Sequence, residues 1–222
     1  KGVDVVVVCV DAEKLRVLAW LNSLDWDSFP AVVVAGVGHQ MSSVNTVSML
    51  ERGCPVPSHA TGYDLGKAHL FDALRYLRYR HQNGVIAEMG TFRGGTLMLI
   101  EQMLRELSYV GPQLVGFDTF AGFPPRRRLL DLFAMERFED RDYEAIRDRL
   151  GSRGIEAVRG DIVDTAGWLA TKDLLLTFFD TDSHSATAAA LPLCFDSTIA
   201  GGVIIFDHYY TRSEYFETIG EC

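Results

Sequence analysis

The stretch "VIAEMGTFRGGT", residues 85–96, decides how the rest of the chain is read. A short apolar run ends in Glu88, a glycine follows one residue later, and beyond Gly94 the residues through 107 fall into helical spacing. Strand, glycine turn and helix in that order make the opening unit of an α/β sheet, because glycine lets the backbone turn sharply and approach a ligand closely. A turn that serves packing alone is the competing reading.

Outward from this unit the chain alternates. Strands are expected at 85–89, 113–118, 155–159, 174–180 and 201–207, and helices at 64–81, 94–107, 140–150, 165–170 and 185–197. Near-continuous apolar strands between amphipathic helices call for a doubly wound, mostly parallel sheet covered on both faces. Such sheets bind ligands at the carboxyl ends of their strands. Ahead of this body, the β-branched runs 4–10 and 31–37 bracket a stretch with helical spacing at Leu15, Leu18, Ala19 and Leu21. The expected division is an N-terminal strand-helix-strand extension at 1–50, a Pro- and Gly-containing linker at 51–62, and the main domain at 63–222.

Composition excludes some classes of partner. Acidic residues outnumber basic ones by 30 to 21, a net charge of −9, which opposes the phosphate neutralisation that drives non-specific nucleic-acid binding. Neither nucleic acid nor an anionic membrane is an expected partner. The four cysteines are widely spaced without a CxxC pair, and no apolar run reaches the ~18 residues of a membrane span. A cytoplasmic protein is the expectation. The dense basic run Arg126-Arg127-Arg128 reads as a solvated loop or a local anion contact.

The strand ends carry the chemistry. Gly90 to Gly94 is G-x-x-x-G and not the G-x-G-x-x-G of dinucleotide enzymes, and Glu88 precedes it. That disfavours a pyrophosphate and favours a nucleoside cofactor without phosphates, S-adenosylmethionine above all. Asp118 ends the next strand, where a carboxylate meets ribose hydroxyls, though a turn residue is an equal reading. Asp161 after the third strand suits an adenine amino group or a neighbouring backbone N–H. The last two strands end in Asp180 with Asp182, and in Asp207 with His208.

The motifs "AEMGTFRGGT", "GFDTFAGFPP", "RGDIVDT", "FFDTDSHSAT" and "GGVIIFDHYY", in that order over residues 87–210, resemble the class I S-adenosylmethionine-dependent methyltransferases and, within them, the macrocin O-methyltransferase family of natural-product sugar methyltransferases. The resemblance implies that Asp180, Asp207 and residue 208 bind a divalent metal, usually Mg2+, and that Asp182 is the general base. Chemistry is consistent with this: a sugar hydroxyl is a poor nucleophile, and a hard cation with a nearby carboxylate would activate it. His208 departs from the family's aspartate; imidazole suits Mn2+ or another divalent metal better, or serves as base, or is structural. His184 is a second candidate base, with a solvent-facing loop residue as the alternative.

Weaker expectations complete the set. Tyr63 falls where the family folds a segment over the cofactor, Thr96 closes the glycine motif, and Arg93 could meet the methionine carboxylate. Trp168 could flank adenine or belong to the core. Residues 123–143 read as a lid over the acceptor. The short tail after 207 implies that the family's final strand pair is missing, with residues 4–37 covering that edge or forming an interface. The function expected is O-methylation of a small sugar-like acceptor by a homo-oligomer; an N- or catechol O-methyltransferase and a non-catalytic binding module are the alternatives.

Overall fold

The computed structural model describes residues 5–10, 31–36, 41–58, 64–125, 131 and 142–207. Five strands form one parallel sheet: β3 (Gly84–Met89), β4 (Pro112–Asp118), β5 (Ile155–Arg159), β6 (Leu174–Phe179) and β7 (Thr198–Phe206), in the order β5-β4-β3-β6-β7. The order reverses between β4 and β6 on either side of β3, so the crevice a doubly wound sheet offers a ligand opens at the end of β3. This is the Rossmann-like α/β architecture expected.

Period-two side-chain direction splits each strand between two cores. On β3, Ile86 enters one apolar cluster, and Val85, Ala87 and Met89 enter a second. The second cluster packs under α6 (His184–Ser197), through Ala186, Ala190 and Cys194. The first packs under α2 (Asp64–Arg80) and α3 (Gly95–Glu106), through Leu70, Leu74, Leu77, Met98 and Met103. Burying both faces explains why β6 is apolar throughout but for Thr177. Cys194 behaves as a core residue: burial pushes its thiol up to about 12.

Helix boundaries fall within a few residues of expectation. The short helix expected at 165–170 begins earlier, because Asp161 caps α5 (Ile162–Thr165), which runs on into a 3-10 turn at Ala166–Thr171. A helix the periodicity did not reveal, α1 (Met41–Arg52), leads into the segment expected as a linker. That segment packs: a Cβ on Gly95 would stand 2.1 Å from the Pro57 carbonyl oxygen, so only glycine lets it lie on the start of α3. The remaining helix of the sheet is α4 (Tyr143–Gly151), capped by Asp142.

The runs at β1 (Val5–Val10) and β2 (Ala31–Gly36) pair in parallel as a separate two-stranded sheet, and β2 comes alongside β7. Their connection, like Tyr63, Arg126–Arg128, His208 and everything after it, lies outside the described residues. No helix among the described residues is long and apolar enough to cross a membrane.

Candidate active site

Asp180 and Asp207 meet because of register. β6 and β7 pair with Phe179 opposite Phe206, so the two residues after them stand side by side. Backbone bonds hold both: Asp180 N–H donates to the Met89 carbonyl at 2.8 Å, and Asp207 N–H to the Phe179 carbonyl at 2.9 Å. Burial, then the neighbouring Asp207, Asp182 and Glu88 carboxylates, push the Asp180 carboxyl well above the usual range. So many oxygens at one spot need a proton or a cation between them.

A cavity of about 250 Å³ opens on these strand ends. Gly90, Asp118, Asp161, Asp180 and Asp182 line it, together with Phe92, Phe123, Pro124 and Ser183. Among the described residues its lining holds four aspartates and no Lys, Arg or His, which repels a polyphosphate and favours a cation such as a sulfonium.

Asp118 is the hub of one wall. Its carboxylate accepts the Phe92 N–H at 2.8 Å and the Phe120 N–H at 2.7 Å, which ties the glycine loop to the loop after β4. Both phenylalanines have left-handed backbones, φ 48° and 53°, as does Asp182 at φ 48°. Non-glycine residues held there cost roughly 1–3 kcal/mol each, and such strain gathers at working sites. Burial raises the Asp118 pKa, and the backbone donors partly offset it. A carboxylate offers about four lone-pair sites, so ribose hydroxyls can still be accepted. Asp161 gives one oxygen to the Val163 N–H at 3.0 Å while facing the cavity, so the backbone half of its expected role is observed.

Glu88 lies beneath the cavity. It is 1% exposed, the Thr96 hydroxyl bonds it, Ser58 bonds Thr96 at 3.0 Å, and one carboxyl oxygen has no partner. Burial first, then Asp118 and Asp207, push its pKa well up, against the Thr96 and Thr91 hydroxyls. A carboxyl whose folded pKa is raised contributes stability that is present below its ordinary value of 4.5 and lost as pH rises through the folded value. Glu88→Gln, neutral at every pH, should escape that loss. Thermal melts from pH 4 to pH 8 should show the wild type losing ground to the variant; parallel melts would contradict a neutral Glu88.

Several expected site residues fall elsewhere. Arg93 is exposed with its guanidinium 5.0 Å from the Phe92 ring centre, outside the cavity lining, so a contact to a methionine carboxylate has no support here. Trp168 stands edge-on to Phe117 at 5.7 Å under the sheet and does not line the cavity. Gly94 and Thr96 belong to the floor, Gly94 packed on Leu150. His184 is 6% exposed in the first turn of α6, which overturns the solvent-facing reading. Asp131, in the expected lid, was missed altogether: it is buried and bonded to Ser183 and Ser185. Only the flanking of His184 by two serines hinted at an acceptor nearby.

A glycine turn after β3, an acidic residue ending β4 and a phosphate-repelling cavity at the switch point define an S-adenosylmethionine-dependent methyltransferase. The model of the macrocin O-methyltransferase family (TylF) matches residues 61–221, and the chain belongs to that family. The enzyme is accordingly an O-methyltransferase. Among solved structures, the calicheamicin methyltransferase CalS11 is similar with a TM-score of 0.61 at 20% identity, over 82% of each chain. The O-methyltransferase NovP is similar with a TM-score of 0.60 at 20% identity, over 79% of this chain and 78% of its own. No curated protein matches the sequence.

Proposed function

We propose that the protein methylates a hydroxyl of a sugar or sugar-like polyol carried by a natural product, with Asp182 as general base and a divalent cation held by Asp180 and Asp207. The observation that carries the reading is the meeting of Asp180 and Asp207 across the β6–β7 register, beside Asp182 at the cavity. The family and the calicheamicin methyltransferase among its structural neighbours support the acceptor class.

Asp118 would hold the ribose and the glycine turn the methionine end of S-adenosylmethionine, which supplies an electrophilic methyl group on sulfur. Among the described residues no group of three His, Cys, Asp or Glu side chains forms a metal site, and the family's remaining position, His208, lies outside them. The two carboxylates nonetheless fit a hard cation: they are oxygen donors, burial and then the neighbouring Asp207 carboxylate raise the Asp180 pKa, and a cation between them would offset both. Such a cation, when bound, would supply Lewis acidity that lowers the pKa of a substrate hydroxyl. Asp182 would take the proton of the acceptor hydroxyl as its oxygen attacks the methyl carbon and the sulfur–methyl bond breaks, leaving S-adenosylhomocysteine, with Phe123 and Pro124 limiting water in the crevice.

Methyl transfer to methyl glycosides of 6-deoxyhexoses, followed by mass spectrometry, tests the acceptor class. Activity should vanish with chelator and return with Mg2+ or Mn2+. A chelated enzyme that keeps its rate would remove the cation from the mechanism, and transfer confined to amines would replace the acceptor class.

A further inference from the structure

Asp131 is the one described residue between 126 and 141, and it is only 8% exposed. Its carboxylate reaches 52 positions along the chain to the start of α6. One oxygen accepts the Ser183 hydroxyl at 3.0 Å and the Ser185 N–H at 2.9 Å, and the other accepts the Ser185 hydroxyl at 2.6 Å. Ser183 is itself the N-cap of α6, its hydroxyl oxygen accepting the Ala186 N–H at 3.3 Å. Asp131 therefore serves a helix N–H that the cap leaves over, and a negative charge there is favoured by the helix dipole.

What this clamp holds is the residue before it. Asp182 precedes Ser183 and has a left-handed backbone, φ 48°. On its other side, Thr181 is fixed by its hydroxyl, 2.7 Å from the Thr187 hydroxyl and donating to the Ser183 carbonyl at 3.1 Å. A strained conformation persists only where its surroundings over-determine it. Asp131, Asp182, Ser183 and Ser185 also line one small cleft with Phe123 and Pro124, continuous in its residues with the main cavity.

We propose that Asp131 is a positioning residue: by clamping Ser183 and Ser185 it fixes the first turn of α6 and, through that turn, the orientation of Asp182. The proposal rests on Asp182 acting as base. Without the Asp131 carboxylate the first turn of α6 loses an acceptor for the Ser183 hydroxyl and the Ser185 N–H, and Asp182 relaxes.

The test is Asp131→Asn, with Ser185→Ala as the milder variant should the first fold poorly, using methyl α-L-rhamnoside as the acceptor probe. Asp131→Asn should lower kcat by about 10- to 100-fold, the usual effect of a misplaced catalytic group, with the Kd for S-adenosylmethionine within about twofold. Ser185→Ala should act in the same direction by roughly fivefold. In amide NMR spectra of the free enzyme, Asp131→Asn should move the Asp182 resonance and leave that of Phe92 in place. Unchanged kcat, or kcat and cofactor affinity falling together with Tm, would overturn the proposal and leave Asp131 a helix cap. If wild-type enzyme does not methylate the probe, the acceptor class fails and the spectra decide the clamp: an unmoved Asp182 resonance rejects it, a moved one supports it.

Discussion

Replacing Asp182 with asparagine is expected to lower the methyl-transfer rate by about 10²- to 10⁴-fold, the usual contribution of a positioned general base. The substitution is well suited to the question. Asparagine has nearly the same shape, and it tolerates the left-handed conformation at φ 48° as aspartate does, so the turn between β6 and α6 should survive. What is lost is the ability to take a proton. Asp182 sits at the cavity beside Asp180 and Ser183, whereas Asp118, the ribose candidate, is on the opposite strand of the switch point. Calorimetry should therefore find S-adenosylmethionine binding within about twofold of wild type, since the variant leaves the cofactor's hydrogen-bonding groups in place. A rate within about threefold of wild type would move the base elsewhere, with buried His184 the next candidate.

Gly90→Ala should be as damaging by a different route. Gly90 has φ +94°, where an L side chain is strained, and its added Cβ would stand 2.0 Å from the Asp180 carbonyl oxygen and 2.6 Å from that carbonyl carbon. Both atoms are backbone, so no rotamer change gives relief; the ends of β3 and β6 must part. Two bonds oppose that movement, from Gly90 N–H to the Phe117 carbonyl at 2.9 Å and from Asp180 N–H to the Met89 carbonyl at 2.8 Å. Strain and overpacking together should cost roughly 3 kcal/mol, or about 6–12 °C in Tm for a domain of this size. S-adenosylmethionine affinity should fall by at least about tenfold with it, because the loop that faces the cofactor is the part displaced. A melt and a titration unchanged from wild type would show that the crevice can widen freely.

The glycine in the opening motif thus has two reasons to be there. The sequence supported a ligand approaching closely or a turn that packs; the structure shows packing contact at Gly90, Gly94 and Gly95, with Gly90 alone of these also lining the cavity. Composition could not separate the two, because both require a missing Cβ.

Strand positions and strand-end chemistry were legible because they depend on local pattern. Apolar runs bounded by turns mark buried parallel strands, and each acidic residue that follows one is fixed at the carboxyl edge wherever the sheet places it. The α1 helix was not legible, since "MSSVNTVSMLER" mixes polar and β-branched residues and owes its helicity to packing against α2 and α3. Arg93 shows the converse: its place in the loop is a matter of sequence, but which way a long side chain turns is decided by its neighbours.

By itself, then, the sequence determined which residues could do chemistry: Glu88, Asp118, Asp161, Asp180, Asp182 and Asp207, each at the end of a strand or in the turn after it. Only the tertiary structure decided which of them meet. Register across β6 and β7 brings Asp180 and Asp207 together, burial takes Glu88 out of the cavity and into its floor, and a contact across 52 positions places Asp131 on the turn that carries Asp182. The physical reason is that strand and turn propensities act between near neighbours, while the pKa of a carboxyl and the aim of a side chain are set by whatever the fold packs beside them.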